Sequence, residues 1–205
     1  MNTPHRVFTG GVAQTNGYLI PCPDGCHLLI DAPDGIARWI QKNNITVHTL
    51  LLTHQHFDHV FDCAILQSRG IKIHAFAPAS DQLTLDQTIK LYGLPPIAPF
   101  TIDVLLEGKN EIELHGQKIQ LAHVPGHSPD SLTYYFPESA QLYSGDTLFA
   151  QGIGRTDLPG HGNHPLLLRS IREKILNLPA NTAVHPGHGP STTIAEEARF
   201  NPYLA

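Results

Sequence analysis

Positive charge is scarce in this chain. Lys and Arg together number 13 in 205 residues, and they never form a run. The electrostatic footprint of a nucleic-acid binder is therefore missing, and the net charge is −5. Cysteine is scarce as well. Cys22, Cys26 and Cys63 are odd in number and irregular in spacing, which excludes a disulfide framework. Cys22 and Cys26 flank the turn-like Pro23-Asp24-Gly25. Such a pair can bind metal or form a bridge, but no second Cys pair completes a site, and we read both as reduced structural thiols. Long apolar runs are absent: none approaches the ~18 residues that span a bilayer. Residues 1–7 lack a charged region followed by an apolar stretch, so they do not read as a signal peptide. The expectation is a cytoplasmic protein with neither membrane nor nucleic acid as partner. No Ser/Gly linker, low-complexity tract or repeat appears either, so one domain over 1–205 is expected.

Short apolar runs alternate with turn signals throughout. Strands are predicted at 17–20, 27–31, 47–52, 71–75, 112–114, 117–123, 131–136, 141–144 and 182–184. Helices are predicted at 35–42 with Asp34 as N-cap, at 57–68, 81–92, 165–176 and 193–199. Helices spread through both halves, with hairpins rather than strict βαβ units, predict a mixed, layered α+β fold.

Histidine is abundant: 14, more than Lys and Arg combined. It is the commonest metal ligand. The apolar strand 47–52 runs into Thr53-His54-Gln55-His56-Phe57-Asp58-His59. In extended backbone, residues i and i+2 point the same way, so His54 and His56 can share a metal. Asp58 and His59, past the bend, are expected to point elsewhere and can take a second. With 14 His and 11 Asp in the chain, the pattern His-x-His-x-Asp-His arises by chance about 0.003 times per chain. Nitrogen and oxygen donors of this kind suit zinc, and also iron or manganese.

Three later stations each follow an apolar run: Pro125-Gly126-His127-Ser128, Gly145-Asp146-Thr147 and Pro186-Gly187-His188-Gly189-Pro190. Taken singly, each is an ordinary Gly/Pro turn. Together they offer three more ligands, and Asp146 has two oxygens with which to bridge two metals. His161, in Gly160-His161-Gly162, reads as a solvent-exposed turn. Tyr143 reads as core.

These four motifs resemble the metallo-β-lactamase superfamily, and within it the short, single-domain glyoxalase II-like hydrolases. The resemblance covers residues from about 16 to the end. It implies a four-layer αββα sandwich, with the metals at one edge of the two sheets. It also implies the ligand assignment: His54, His56 and His127 for one divalent metal, Asp58, His59 and His188 for the other, and Asp146 between them. Two such metals, zinc or alternatively iron or manganese, lower the pKa of a bridging water toward neutrality. The hydroxide so formed can cleave a thioester such as S-lactoylglutathione, with Asp58 orienting it.

In the longer glyoxalase II enzymes a Gly-Lys-Phe-Tyr stretch contacts glutathione. Here the matching residues are Gly154-Arg155-Thr156-Asp157, which leaves Arg155 as the candidate for a substrate carboxylate. The same stretch also resembles persulfide dioxygenases of the superfamily. That resemblance implies one iron on His54, His127 and Asp146, and an oxygen-dependent oxidation. A hydrolase of another ester, lactone or amide is the third possibility.

Overall fold

The structure, a computed structural model, describes residues 5–91 and 93–204. Of the expectations above, part of the 1–7 reading and residue 92 of the 81–92 helix lie outside the described residues. The chain divides into two compact units, Met1–Gly108 and Lys109–Ala205.

The first unit contains β1 (Arg6–Gly10), β2 (Thr15–Pro21), β3 (His27–Ile30), α1 (Ile36–Lys42), β4 (Val47–Leu51), α2 (Phe57–Val60), α3 (Cys63–Ser68), β5 (Lys72–Ala75), α4 (Asp86–Leu91) and β6 (Val104–Leu105). Its six strands form one sheet in chain order. β1, β2 and β3 pair antiparallel, and β3 through β6 pair parallel. The Leu/Ile runs of β3 and β4 are buried along most of their length, as parallel strands usually are. Leu29 and Leu50 from the sheet pack with Ile36 and Ile40 of α1 and Cys63 and Leu66 of α3 in one core. Burying each such Leu or Ile contributes about 1.5–3 kcal/mol.

Two helix expectations are corrected here. The N-cap of α1 is Gly35, at φ 93°, and no side-chain cap comes from Asp34. Instead Asp62 Oδ2 accepts the Ala37 N–H at 2.8 Å from 25 residues away. Asp62 also accounts for the second correction, through its backbone. The expected 57–68 helix is two helices, α2 and α3, which meet at Phe61 and Asp62. The Asp62 N–H donates to the Ala32 carbonyl at 3.0 Å rather than continuing the helix ladder.

The second unit contains β7 (Glu111–Leu114), β8 (Gln117–His123), β9 (Leu132–Phe136), β10 (Gln141–Gly145), β11 (Leu148–Phe149), β12 (Gly152–Ile153), α5 (His164–Lys174), β13 (Ala183–Pro186), β14 (Thr192–Thr193) and α6 (Ile194–Phe200). Its main sheet has the order β14-β13-β10-β9-β8-β7, and β11 and β12 form a separate hairpin. α5 starts where the Asn163 side chain accepts the Leu166 N–H, with Pro165 in its first turn. Its buried residues Leu167, Ser170 and Ile171 recur at helical spacing. Leu167 and Ile171 share a core with Leu142, Val184 and Ile194. Tyr143 is core, as expected, at 1% exposure, whereas His161 is 7% exposed rather than solvent-exposed.

Among the described residues, no helix is long and apolar enough to cross a membrane.

Candidate metal centre

In the first unit β4 ends at Leu51, and the backbone then crosses Thr53, His54 and His56 before turning into α2. His54, His56 and His59 are buried, while Asp58 is partly exposed. The His54 ring lies 4.5 Å from His56 and 4.1 Å from His59, centroid to centroid. His59 was expected to point away from His54, yet their ligand nitrogens are within 4.8 Å of each other. The turn that brings them together is closed by the His59 N–H, which donates to the His56 carbonyl at 2.9 Å.

Asp31 organises this cluster, and sequence reasoning missed it. It follows β3, is 1% exposed and sits at φ 59°. Its Oδ1 accepts the Thr53 N–H, and its Oδ2 accepts both the Thr53 hydroxyl and His59 Nδ1, each at 2.8 Å. The Thr53 hydroxyl proton is thereby committed to Asp31, so Thr53 Oγ1 accepts from His54 Nδ1 at 3.1 Å. Both rings are held as the Nδ1–H tautomer, with the Nε2 lone pair left to bind a cation. The only signal in the sequence was a carboxylate closing an apolar strand. Thr15 was missed too: it is fully buried, and its hydroxyl donates to Asp58 Oδ2 at 2.6 Å.

In the second unit His127 follows β8, Asp146 follows β10 and His188 follows β13. The backbones around them tolerate little change. A Cβ at Gly126, which has φ 137°, would run into the Leu167 backbone, and one at Gly154 would overlap the Asp146 carbonyl. His127 Nδ1 donates to the Arg155 carbonyl at 2.8 Å, which again makes Nε2 the nitrogen suited to face a cation. So Arg155 acts on the site through its backbone. Its guanidinium holds Asp157 in a bidentate pair at 2.7 and 2.9 Å, exposed to solvent. That pair lowers the Asp157 carboxyl below its ordinary range. His185 does not join the ligands: it lies between Ser191 Oγ at 2.8 Å and Gln141 Oε1 at 2.5 Å.

The donor spacings fit metal ions. Asp146 Oδ2 lies 3.6 Å from His127 Nε2 and 3.3 Å from His188 Nε2. Asp58 Oδ2 lies 3.5 Å from His59 Nε2. These separations are longer than N–H···O hydrogen bonds, which run to about 3.2 Å. They match the edge of a tetrahedron about a metal with ligands at about 2.0–2.1 Å, which is about 3.4 Å. The tautomers of His59 and His127 put no proton on the facing nitrogens, so lone pair faces carboxylate oxygen. A cation between the two atoms would relieve that repulsion.

The metallo-β-lactamase superfamily pattern matches residues 10–188, and the chain belongs to that superfamily. The superfamily is a metallo-hydrolase superfamily, and binding of two metals is typical of it. Over 97% of this chain and 96% of its relative, it is 36% identical to the "probable metallo-hydrolase" YqgX of Bacillus subtilis. It is also 36% identical to hydroxyacylglutathione hydrolase GloC of Haemophilus influenzae, over 80% of this chain and 79% of that one. Among solved structures, the BLEG-1 B3 metallo-β-lactamase superposes with a TM-score of 0.88 at 36% identity, covering 98% and 99% of the two chains. TTHA1623 in a di-iron-bound form gives 0.82 at 36%, covering 97% and 100%. ETHE1 from Myxococcus xanthus gives 0.77 at 26%, covering 98% and 84%. The fold is the metallo-β-lactamase fold, of α+β class.

Proposed function

We propose that the chain is a binuclear metal-dependent hydrolase of the glyoxalase II type, acting on a small-molecule thioester such as S-lactoylglutathione. The observation that carries the metal chemistry is the single Asp146 oxygen facing two imidazole Nε2 atoms at 3.3 and 3.6 Å. The thioester class rests on the likeness to GloC. On this reading His54, His56 and His127 hold one metal, and Asp58, His59 and His188 hold the other. Asp146 is shared, and residues 1–205 act as one domain.

When bound, the metals polarise the substrate carbonyl and lower the pKa of coordinated water. The protein's own residues do the rest. Asp31 and the Arg155 carbonyl hold the imidazoles in the ligating tautomer. Asp58, fixed by Thr15, orients the attacking water. A thiolate leaves without a strong general acid, so none is needed. The Arg155 guanidinium already grips a carboxylate in Asp157, and a substrate carboxylate would exchange with it. The metals are zinc, with iron the alternative suggested by the di-iron form of TTHA1623.

A second reading, a persulfide dioxygenase with one iron on His54, His127 and Asp146, draws on Gly154-Arg155-Thr156-Asp157 and on the likeness to ETHE1. One comparison separates the two. Metal content of the purified protein is measured, then S-lactoylglutathione hydrolysis beside oxygen uptake with glutathione persulfide. Two metals per chain with thioester cleavage is the expected result. A single iron with oxygen uptake overturns it. Two metals without either turnover would redirect the reading to another ester, a lactone or an amide.

A further inference from the structure

The turn joining β2 to β3 carries donors that the seven-residue centre does not use. Cys22 and Cys26 flank Pro23-Asp24-Gly25. The Cys22 N–H donates to the Cys26 carbonyl at 2.9 Å, and the Gly25 N–H donates to the Cys22 carbonyl at 3.0 Å. Gly25 takes φ 85°, which lets the chain reverse within three residues. Asp24 Oδ1 accepts the Cys26 N–H at 3.1 Å, folding the carboxylate back over the turn. The two sulfurs and an Asp24 carboxylate oxygen come within 4.8 Å of one another. Both cysteines are buried and Asp24 is exposed, so the donors are pre-gathered at a place an ion can reach.

The bland reading is a pair of small apolar residues filling a hairpin end. It accounts for the burial, but the tight turn also brings two thiols and a carboxylate to within ligand distance of one another, which a purely apolar filler does not need. A redox pair is the other alternative. Burial and the nearby carboxylate push Cys26 up to about 12 and raise Cys22 as well, so at neutral pH both are protonated and poorly nucleophilic. A soft cation that displaces those protons offsets the same desolvation and the Asp24 charge. The Cys-x3-Cys spacing lies within the range zinc thiolate ligands use.

We propose that Cys22, Cys26 and the Asp24 carboxylate form a separate, sulfur-rich site for one thiophilic divalent cation of the zinc or cadmium type. Three protein ligands leave one coordination position for water, so the site is weaker than a closed four-ligand one. The cation clips the end of the β2–β3 hairpin opposite Thr15 and Asp31, the residues that position Asp58 and His59. The site shares no ligand with the hydrolase centre and does not depend on that reading.

The test is a cadmium titration of the full-length, reduced protein, followed by ultraviolet absorption. The hydrolase centre offers only nitrogen and oxygen, so a sulfur-to-cadmium charge-transfer band reports this site alone. Wild type is expected to develop the band and saturate it at one cadmium per chain. Cys63→Ala keeps the band, and Cys22→Ser with Cys26→Ser abolishes it. Asp24→Asn removes the carboxylate charge and weakens cadmium binding several-fold. No band in wild type, a band surviving the double substitution, or an unchanged titration in Asp24→Asn overturns the proposal.

Discussion

Asp31 shows how much of a candidate metal site can rest on a residue outside the proposed ligand set. It accepts from Thr53 N–H, Thr53 hydroxyl and His59 Nδ1. Asp31→Asn keeps the size but replaces one acceptor oxygen with a donor NH2. If Oδ1 keeps the Thr53 N–H, the new amide faces two donors, and His59 must move its proton to Nε2, the atom meant for the metal. We expect metal affinity to fall about 10–100-fold and stability to fall by about 1–3 kcal/mol. Competition titration with a chelating indicator reads the first and urea unfolding the second. Because Asp31 positions and does not react, excess metal should restore most of kcat. Unchanged metal affinity would remove Asp31 from the site. This residue was not legible in the sequence. His54 and His56 announce themselves by i,i+2 spacing at a strand end, whereas a lone Asp before Ala-Pro looks like any turn residue.

Elements differ in legibility for similar reasons. β4 and α5 were readable because each carries a full apolar pattern, a buried Leu run in one and Leu167, Ser170 and Ile171 in the other. β1 is largely exposed at a sheet edge, and β6, β11, β12 and β14 are two residues each, too short for any period. The β11–β12 hairpin matters nonetheless, since it delivers Gly154 onto the Asp146 carbonyl and Arg155 onto His127. Gly154→Ala would force a Cβ into the Asp146 carbonyl and to 3.0 Å from the His127 Cβ, so the loop must shift. Such overpacking costs about 1–3 kcal/mol, and here the displaced groups belong to the proposed ligands Asp146 and His127. Gly160→Ala is the control. It has open space but φ 77°, a strain of about 1–2 kcal/mol with no tie to the ligands. Both variants should melt earlier, but only Gly154→Ala should also bind zinc more weakly. Equal zinc affinity in the two would show that the loop packs against Asp146 without supporting it.

At the scale of the whole chain, the proposed ligands run from His54 to His188, on loops after β4, β8, β10 and β13. Sequence alone made the first cluster evident, and the others gained meaning only beside it, since a single Gly-His or Gly-Asp is an ordinary turn. The same dispersal has a thermodynamic consequence. An unfolded chain keeps only the local His54–His59 cluster and cannot gather His127, Asp146 and His188 with it, so on the proposed assignment metals bind the folded state more tightly and stabilise it by mass action. At free zinc of about 100 to 1,000 times Kd the gain is about 2.7–4.1 kcal/mol. For a chain of this length that amounts to about 5–16 °C in Tm. Removal of metal with a chelator should therefore lower Tm by that order, abolish hydrolysis, and be reversed by adding zinc back. Asp146→Ala tests whether the centre is the source of the effect, because it removes the shared carboxylate. It should melt near the wild-type apoprotein temperature and respond little to chelator. A wild-type Tm indifferent to chelator, or an Asp146→Ala protein that keeps both its metal and its activity, would exclude the assignment of Asp146 as the shared ligand.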